Sequence, residues 1–216
     1  MTAVLRDDVM LTGRAGAIEV SLARPTASDA WAVALICHPH PLHGGTMENK
    51  VVQTLAKACV DAGVAAVRFN FRGAGRSEGV FDHGEGETDD ADVVLQWARR
   101  QVRPGAPWIG AGFSFGAAVQ ARLADRLPAA DRPAQLVLVG PAVGRFATPQ
   151  PALPALVIHG ETDDVVPLAD VFAWARPSGQ PVTVFPGCGH FFHGRLTELR
   201  SVVRSALIAR LTDPTA

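Results

Sequence analysis

The sequence predicts an α/β fold in which a mostly parallel sheet has helices on both faces. Short apolar runs alternate along the chain with longer stretches of helical periodicity, the pattern of successive strand–helix units. The apolar runs are continuous rather than alternating, as in strands buried on both faces. The 216 residues contain no internal repeat and no low-complexity tract, so we expect a single domain over residues 1–216.

The individual elements follow in order. Residues 16–25 alternate in polarity like an edge strand or hairpin arm, and residues 30–37 form a continuous apolar strand. Further apolar runs predict strands at 64–71, 108–114, 134–142, 154–160 and 181–187. Helical spacing predicts helices at 47–63, 86–102, 115–127, 168–175 and 194–211. The second of these helices is acidic in its first turn and basic in its last, which suits the helix dipole.

Composition and charge narrow the function classes. The formal net charge is −1, so no basic field indicates a nucleic-acid partner. Three cysteines without metal-ligand spacing suit a reducing compartment. The first ten residues carry charges where a signal peptide is apolar, and the apolar run at 30–37 is too short to span a bilayer. We therefore expect a cytoplasmic protein without a membrane partner.

The pentapeptide GFSFG, residues 112–116, lies between a predicted strand and a predicted helix. It fits G-x-S-x-G, the nucleophile elbow, in which the chain reverses sharply around the serine. Gly112 and Gly116 leave the space that this reversal needs, and Ser114 projects above the carboxyl ends of the strands. The pentapeptide alone is a weak signal in a chain with 21 glycines. A base and an acid later in the chain would strengthen it.

Both partners occur in loops that follow strands. A serine hydroxyl needs an imidazole to take its proton, and the imidazole needs a carboxylate. His190 follows a flexible glycine-rich loop, whereas its rival His193 is closer to the last helix. Asp163 and Asp164 both follow a strand, and Asp164 suits an exposed or helix-capping position. His159, at a strand end, is interpreted as a packing or hydrogen-bonding residue.

The loop at 37–49 follows the first buried strand, where hydrolases with an elbow supply a second N–H to the oxyanion. Pro39 and Pro41 have no N–H, so the donor is His40 or Leu42, and we favour His40. Phe115, directly after the serine, would supply the first N–H.

The same loop has a competing interpretation as a metal site. His38, His40 and His43 form an H-x-H cluster, but prolines flank His40 and no acidic residue lies within the cluster. We favour structural roles for His38 and His43 and expect no metal or cofactor.

The sequence resembles the α/β-hydrolase superfamily, and within it a small lidless bacterial group of serine hydrolases. The resemblance covers nearly all of the chain after residue 15. It rests on the segments HPHPLHGGTMENK (38–50), RFNFRGAGRSEGVFDHGEGE (68–87), GFSFG (112–116), HGETDDVVP (159–167) and HFFHG (190–194). By matching position, it implies Ser114 as nucleophile, Asp163 as acid and His190 as base. The resemblance implies a reaction mechanism but does not identify a particular substrate.

One segment departs from many hydrolases, which have an aspartate before the arginine of the second segment. Here Asn70 and Phe71 occupy that region. Arg72 could hold the neighbouring loops together by hydrogen bonds, but we favour its interpretation as a structural arginine.

The expected activity is that of a carboxylesterase acting on small, short-acyl esters. Only residues 143–153 separate two predicted strands where lidded relatives insert a cap, so the site should be open. Candidate residues for the pocket wall are Leu42, Phe113, Phe115, Val166 and Phe191. Thioester, lactone or peptide hydrolysis on the same triad is the alternative, followed by a non-catalytic binding module. The oligomeric state, monomer or homodimer, is left open.

Overall fold

The computed structural model describes residues 4–26 and 29–212, and a single sheet of eight strands forms the centre of this described part. The strands are β1 (Val4–Gly13), β2 (Gly16–Pro25), β3 (Ala32–Cys37), β4 (Val64–Phe69), β5 (Trp108–Phe113), β6 (Gln135–Val139), β7 (Ala155–Gly160) and β8 (Val182–Phe185). Their order across the sheet is β1-β2-β4-β3-β5-β6-β7-β8. β1 and β2 pair antiparallel with each other, β2 pairs antiparallel with β4, and all other pairs are parallel. The mostly parallel sheet is thus confirmed.

Helices cover both faces of the sheet. Within the described residues they are α1 (Lys50–Asp61), α2 (Glu85–Arg99), α3 (Phe115–Arg126), α4 (Leu168–Ala175) and α5 (Leu196–Thr212). α1 and α5 pack on one face, and α2, α3 and α4 pack on the other. Every residue of β3, β4 and β5 is buried, which explains their continuous apolar runs. None of the helices described here is long and apolar enough to cross a membrane.

The structure corrects the prediction at the amino-terminal end. β1 was not predicted, and β2 is a hairpin arm rather than an edge strand because β1 lies outside it. β1 pairs on one side only and is mostly exposed. Charged residues such as Arg6, Asp7 and Asp8 interrupt the apolar residues of β1, as is common at sheet edges.

Several predicted elements are shorter in the structure than in the sequence interpretation, and two of these differences shape the loops beside the candidate site. The helix predicted at 47–63 begins at Lys50, because the Asn49 side chain accepts the Val51 N–H at 2.9 Å and caps the helix there. The strand predicted at 64–71 ends at Phe69. The residues that follow it turn into a loop that reaches the carboxyl edge of the sheet.

A buried ion pair fixes this loop, residues 70–84, against α2. Arg72 donates from Nε and Nη2 to the two carboxylate oxygens of Asp90, at 2.9 and 2.7 Å. These bonds raise the pKa of Arg72. Asn70 accepts the Met47 N–H at 2.8 Å and thereby ties the loop to residues 38–49. The structural interpretation of Arg72 is confirmed, and both loops that border the candidate site are held in place.

Residues 140–154 connect β6 to β7 with turns and irregular backbone. No cap is inserted in this described connection, as the short segment in the sequence predicts.

Candidate active site

Ser114 lies at the sharp turn between β5 and α3. Its backbone has φ 56° and ψ −117°, a left-handed conformation that is strained for a residue with a side chain. A Cβ at Gly112 would lie 2.5 Å from the carbonyl carbon of Gly116, and one at Gly116 would lie 2.5 Å from that of Cys37. Both glycines are therefore required by backbone contacts, and the turn is the elbow that the sequence predicts.

His190 lies beside the serine at the carboxyl edge of the sheet. Its Nε2 is 3.0 Å from Ser114 Oγ, and its Nδ1 is 2.6 Å from Asp163 Oδ2. All three side chains are largely buried, with 8% of Ser114, 7% of Asp163 and 3% of His190 exposed. The ring of Phe113 lies beneath the imidazole, with the ring centroids 4.9 Å apart. A carboxylate, an imidazole and a hydroxyl are thus joined in one hydrogen-bonded chain.

The carboxylate is held by donors on both of its oxygens. Asp163 Oδ1 accepts the N–H groups of Val165 and Val166 at 2.9 and 2.8 Å. Burial by itself would raise the pKa of Asp163. The hydrogen bonds from His190 and the Val166 N–H outweigh burial and hold this pKa below its ordinary value. The neighbouring Asp164 is exposed, so the structure brings only the first of the two candidate aspartates to the imidazole.

Two backbone N–H groups near the serine are available to a ligand. Within the described part of the chain, neither the His40 N–H nor the Phe115 N–H has a hydrogen-bond partner. The Leu42 N–H, the other candidate, already donates to His40 Nδ1 at 3.2 Å. Burial, and then the nearby His43 and His83, lowers the pKa of His40, which keeps Nδ1 unprotonated as an acceptor. Of the two candidate donors in this loop, the geometry favours His40.

The histidines of the same loop do not converge on a common point. His38 is fully buried; its Nδ1 donates to the Pro39 carbonyl at 2.6 Å and its Nε2 accepts the Phe71 N–H at 3.0 Å. His43 is exposed, and its ring packs against that of His40 at a tilted angle. Among the residues described, no group of three or more ligand-type side chains is arranged to hold a metal ion. His38 is a structural residue that joins the loop to the end of β4.

The buried position of His38 makes the protein's stability depend on pH. Burial lowers its pKa from 6.5 to about 4, so below pH 6.5 the unfolded chain binds a proton that the folded chain does not bind. We expect this residue alone to lower the free energy of unfolding by roughly 2 kcal/mol between about pH 7 and about pH 5. Urea unfolding at the two pH values measures the change. His38→Gln keeps a donor and an acceptor but does not titrate, so it should reduce the change in the free energy of unfolding between the two pH values. An unchanged pH dependence would contradict the assignment.

The predicted wall residues divide into two groups. Leu42 and Phe191 are exposed, at 69% and 45%; the Leu42 N–H bonds to His40, and the ring of Phe191 packs against that of His190. Phe113, Phe115 and Val166 are buried, with at most 1% exposed. The structure therefore corrects their placement in the wall, because they support the site from below and offer almost no surface to a substrate.

The sequence analysis did not single out two further rings beside the serine. Phe81 and Phe146 pack on the ring of His40, with centroid separations of 4.5 and 5.5 Å. Phe146 also packs on Phe115 at 4.8 Å. Both rings are partly exposed and come from separate loops, so only the folded arrangement identifies them as neighbours of the elbow.

Comparison with known proteins shows the family to which the chain belongs. The family model described as serine aminopeptidase, S33, matches residues 40–151, just over half of the chain. The chain therefore belongs to this family of α/β serine hydrolases.

Three individual relatives are similar to this chain over nearly its whole length. An α/β serine hydrolase homologue from Coxiella burnetii is 43% identical, with a TM-score of 0.85 over 93% of this chain and 97% of that one. XC6422 from Xanthomonas campestris, an α/β serine hydrolase without a lid, is 37% identical, with a TM-score of 0.86 over 95% of this chain and 94% of that one. The uncharacterized protein RP471 of Rickettsia prowazekii (strain Madrid E) is 33% identical over 214 residues, covering 93% of this chain and 88% of that protein. These similarities confirm the lidless α/β-hydrolase fold and the small bacterial group that the sequence resembles.

Proposed function

We propose that the protein is a serine carboxylesterase that hydrolyses small, short-acyl esters through an acyl-enzyme intermediate. The observation that carries this proposal is the hydrogen-bonded chain from Asp163 through His190 to Ser114. Such a chain activates a hydroxyl that is otherwise a weak nucleophile. The N–H groups of Phe115 and His40, which have no partner among the described residues, supply the complementary site for a developing negative charge.

The reaction proceeds in two acyl transfers. Ser114 Oγ attacks the carbonyl carbon while His190 Nε2 accepts the hydroxyl proton, and the N–H groups of Phe115 and His40 bind the resulting oxyanion. When the tetrahedral intermediate collapses, the bond to the alkoxy oxygen breaks and His190 returns the proton to that oxygen. Water then attacks the acyl-enzyme by the same sequence, which releases the carboxylic acid and restores Ser114. No metal or cofactor takes part in this scheme.

Asp163 keeps the imidazole ready for both transfers. Its bond to Nδ1 holds the proton on that nitrogen and leaves Nε2 free to accept. Its carboxylate also stabilises the imidazolium that forms during each step, and its lowered pKa keeps it ionised at neutral pH.

The proposal is tested first with a fluorophosphonate probe and intact-protein mass spectrometry. We expect one adduct on the wild type and none on Ser114→Ala, because only an activated serine reacts with the probe. Circular dichroism verifies that both proteins are folded. Folded wild-type protein without an adduct would overturn the proposal and favour a non-catalytic binding module.

Acyl-chain length provides the second test. With residues 140–154 in the place of a cap, a long acyl chain extends into water beyond Leu42 and Phe191 and buries little further apolar surface. We expect kcat/KM for p-nitrophenyl acetate and butyrate to exceed that for the palmitate ester by roughly tenfold or more. A preference for the palmitate ester would contradict the short-acyl assignment.

The same residues would also suit thioesters, lactones or peptides, and the family description names an aminopeptidase. A panel with one substrate of each bond type, assayed with the wild type and Ser114→Ala, separates these reactions. A loss of activity with EDTA that zinc restores would instead indicate a metal hydrolase.

We place this activity in the cytoplasm, because Cys37, Cys59 and Cys188 are free and buried, which suits a reducing compartment. Its partner in this proposal is the small-molecule ester. Sedimentation would distinguish a monomer from a homodimer.

A further inference from the structure

A second histidine contacts the carboxylate of the candidate triad. His159 lies near the end of β7, opposite Val184 of β8, and its side chain is fully buried. Its Nε2 is 2.9 Å from the Val166 carbonyl oxygen and 3.4 Å from Asp163 Oδ2. The mechanism above assigns no role to this buried imidazole.

The contacts of the ring determine its protonation. A carbonyl oxygen only accepts, so Nε2 carries the proton and donates it to Val166. The other nitrogen, Nδ1, is buried and has no partner among the described residues. Burial also lowers the pKa of His159, outweighing the Val166 bond and the charge of Asp163, which raise it. His159 is therefore a neutral donor directed at residues 161–167, the loop between β7 and α4 that carries Asp163 and is called the acid loop below.

Two hydrogen bonds hold the acid loop, and both involve Val166. The Val166 N–H donates to Asp163 Oδ1 at 2.8 Å, while the Val166 carbonyl accepts from His159. His159 Nε2 also faces Oδ2, the oxygen that accepts from His190. The His159 imidazole thus restrains Val166, whose N–H holds Asp163 Oδ1. The same imidazole lies beside Asp163 Oδ2.

The loop that carries the base is packed against the same strand end. A Cβ at Gly160 would lie 3.0 Å from the carbonyl carbon of Cys188, and the Thr162 N–H donates to the Cys188 carbonyl at 3.0 Å. These contacts hold the two loops together at the end of β7, so loss of the His159 side chain would not separate them but would release the Val166 end of the loop that carries Asp163.

We propose that His159 is a positioning residue of the triad: its Nε2–H holds the acid loop in place and limits the basicity of Asp163 Oδ2. This inference rests on the proposed function. The titratable groups that act on His159 are Asp163 and His190, and Cys188 interacts in turn with Asp163. Without the donor, the Asp163 carboxylate becomes more basic and stabilises the protonated imidazole of His190 more strongly. The acid limb of the pH–rate profile then moves to higher pH.

The experiment compares His159→Leu, which has no donor, with His159→Gln, whose side-chain amide reaches the position of Nε2. We expect His159→Leu to lower kcat for p-nitrophenyl acetate on the order of 10- to 100-fold with little change in KM, because the carboxylate is misplaced. Its acid limb should move to higher pH, and His159→Gln should restore both properties. His193→Gln is the matched control, because His193 is exposed and should keep wild-type kinetics.

The melting temperature is measured alongside, because replacing a buried, hydrogen-bonded imidazole with leucine lowers it regardless of any effect on the reaction. If His159→Leu does not fold, His159→Asn replaces it, since its shorter amide keeps the polarity but does not reach Val166. A purely structural role predicts lower stability with an unmoved acid limb, and that result would overturn the inference. A failure of the proposed function is distinguishable, because it would already appear as wild-type protein without a fluorophosphonate adduct.

Discussion

Replacing Asp163 with asparagine is expected to lower kcat/KM for a short-acyl ester on the order of 10⁴-fold while the protein stays folded. The reason is the way in which the two carboxylate oxygens are bound. Oδ1 accepts the N–H groups of Val165 and Val166, and Oδ2 faces Nδ1 of His190. The oxygen of the asparagine amide, an acceptor, takes the place between the two N–H groups. Its NH₂ group then faces the imidazole.

That orientation reverses the tautomer of His190. An amide NH₂ group only donates, so Nδ1 must accept and the ring proton moves to Nε2. Nε2, which lies 3.0 Å from Ser114 Oγ, then carries a hydrogen and no longer accepts the proton of the serine. The variant keeps the shape of the site but begins the reaction without a general base.

Asp164→Asn is the matched control because it makes the same chemical change one residue further along. Asp164 is exposed, whereas only 7% of Asp163 is exposed, so Asp164→Asn should keep wild-type kinetics. Steady-state hydrolysis of p-nitrophenyl acetate measures both variants, and near-ultraviolet circular dichroism verifies the fold. Full activity in Asp163→Asn, or an equal loss in both variants, would contradict the role of Asp163.

The features that sequence predicted well are those with local causes. The elbow at Ser114 is recognised from two glycines at fixed spacing at a strand–helix junction, a pattern contained in five consecutive residues. The buried strands were predicted because residues with neighbouring strands on both sides and helices on both faces must be apolar. β1 lacks a neighbour on one side, so its residues, including Arg6 and Asp8, are free to be polar.

Contacts between distant loops were not predictable in the same way. An apolar residue has the same sequence pattern in a pocket wall and in a core, which is why Phe113 and Val166 were assigned to the wall but are buried. The ring of Phe146 reaches His40 only because two loops meet at the edge of the sheet. His159 reaches Asp163 through the turn after β7, which periodicity does not describe.

Gly116→Ala is the second change with a large expected effect, and it acts through the oxyanion site rather than the triad. A Cβ at this position would lie 2.5 Å from the carbonyl carbon of Cys37 and from the carbonyl oxygen of His38. Both are backbone atoms, so no side chain can move aside, and the first turn of α3 must shift away from the end of β3. That turn carries the Phe115 N–H, and the loop after β3 carries the His40 N–H. The shift therefore separates the two donors.

We expect Gly116→Ala to lower kcat for p-nitrophenyl acetate by about 10²- to 10³-fold with a smaller effect on KM, because oxyanion donors act mainly in the transition state. Stability should fall too, although alanine in an unobstructed helix would stabilise by roughly 0.5–1 kcal/mol relative to glycine. The control is Gly105→Ala, where φ is 78° and, apart from the chain neighbours, no atom of the described residues lies within 4 Å of the added Cβ. Gly105→Ala loses stability through its positive φ, a strain that Gly116 does not have, and it introduces no clash near the site, so it should lose some stability and keep wild-type kcat. If Gly116→Ala also kept wild-type kcat, the close approach of α3 to β3 would not be what assembles the oxyanion site, and the roles of Phe115 and His40 would have to be reassigned.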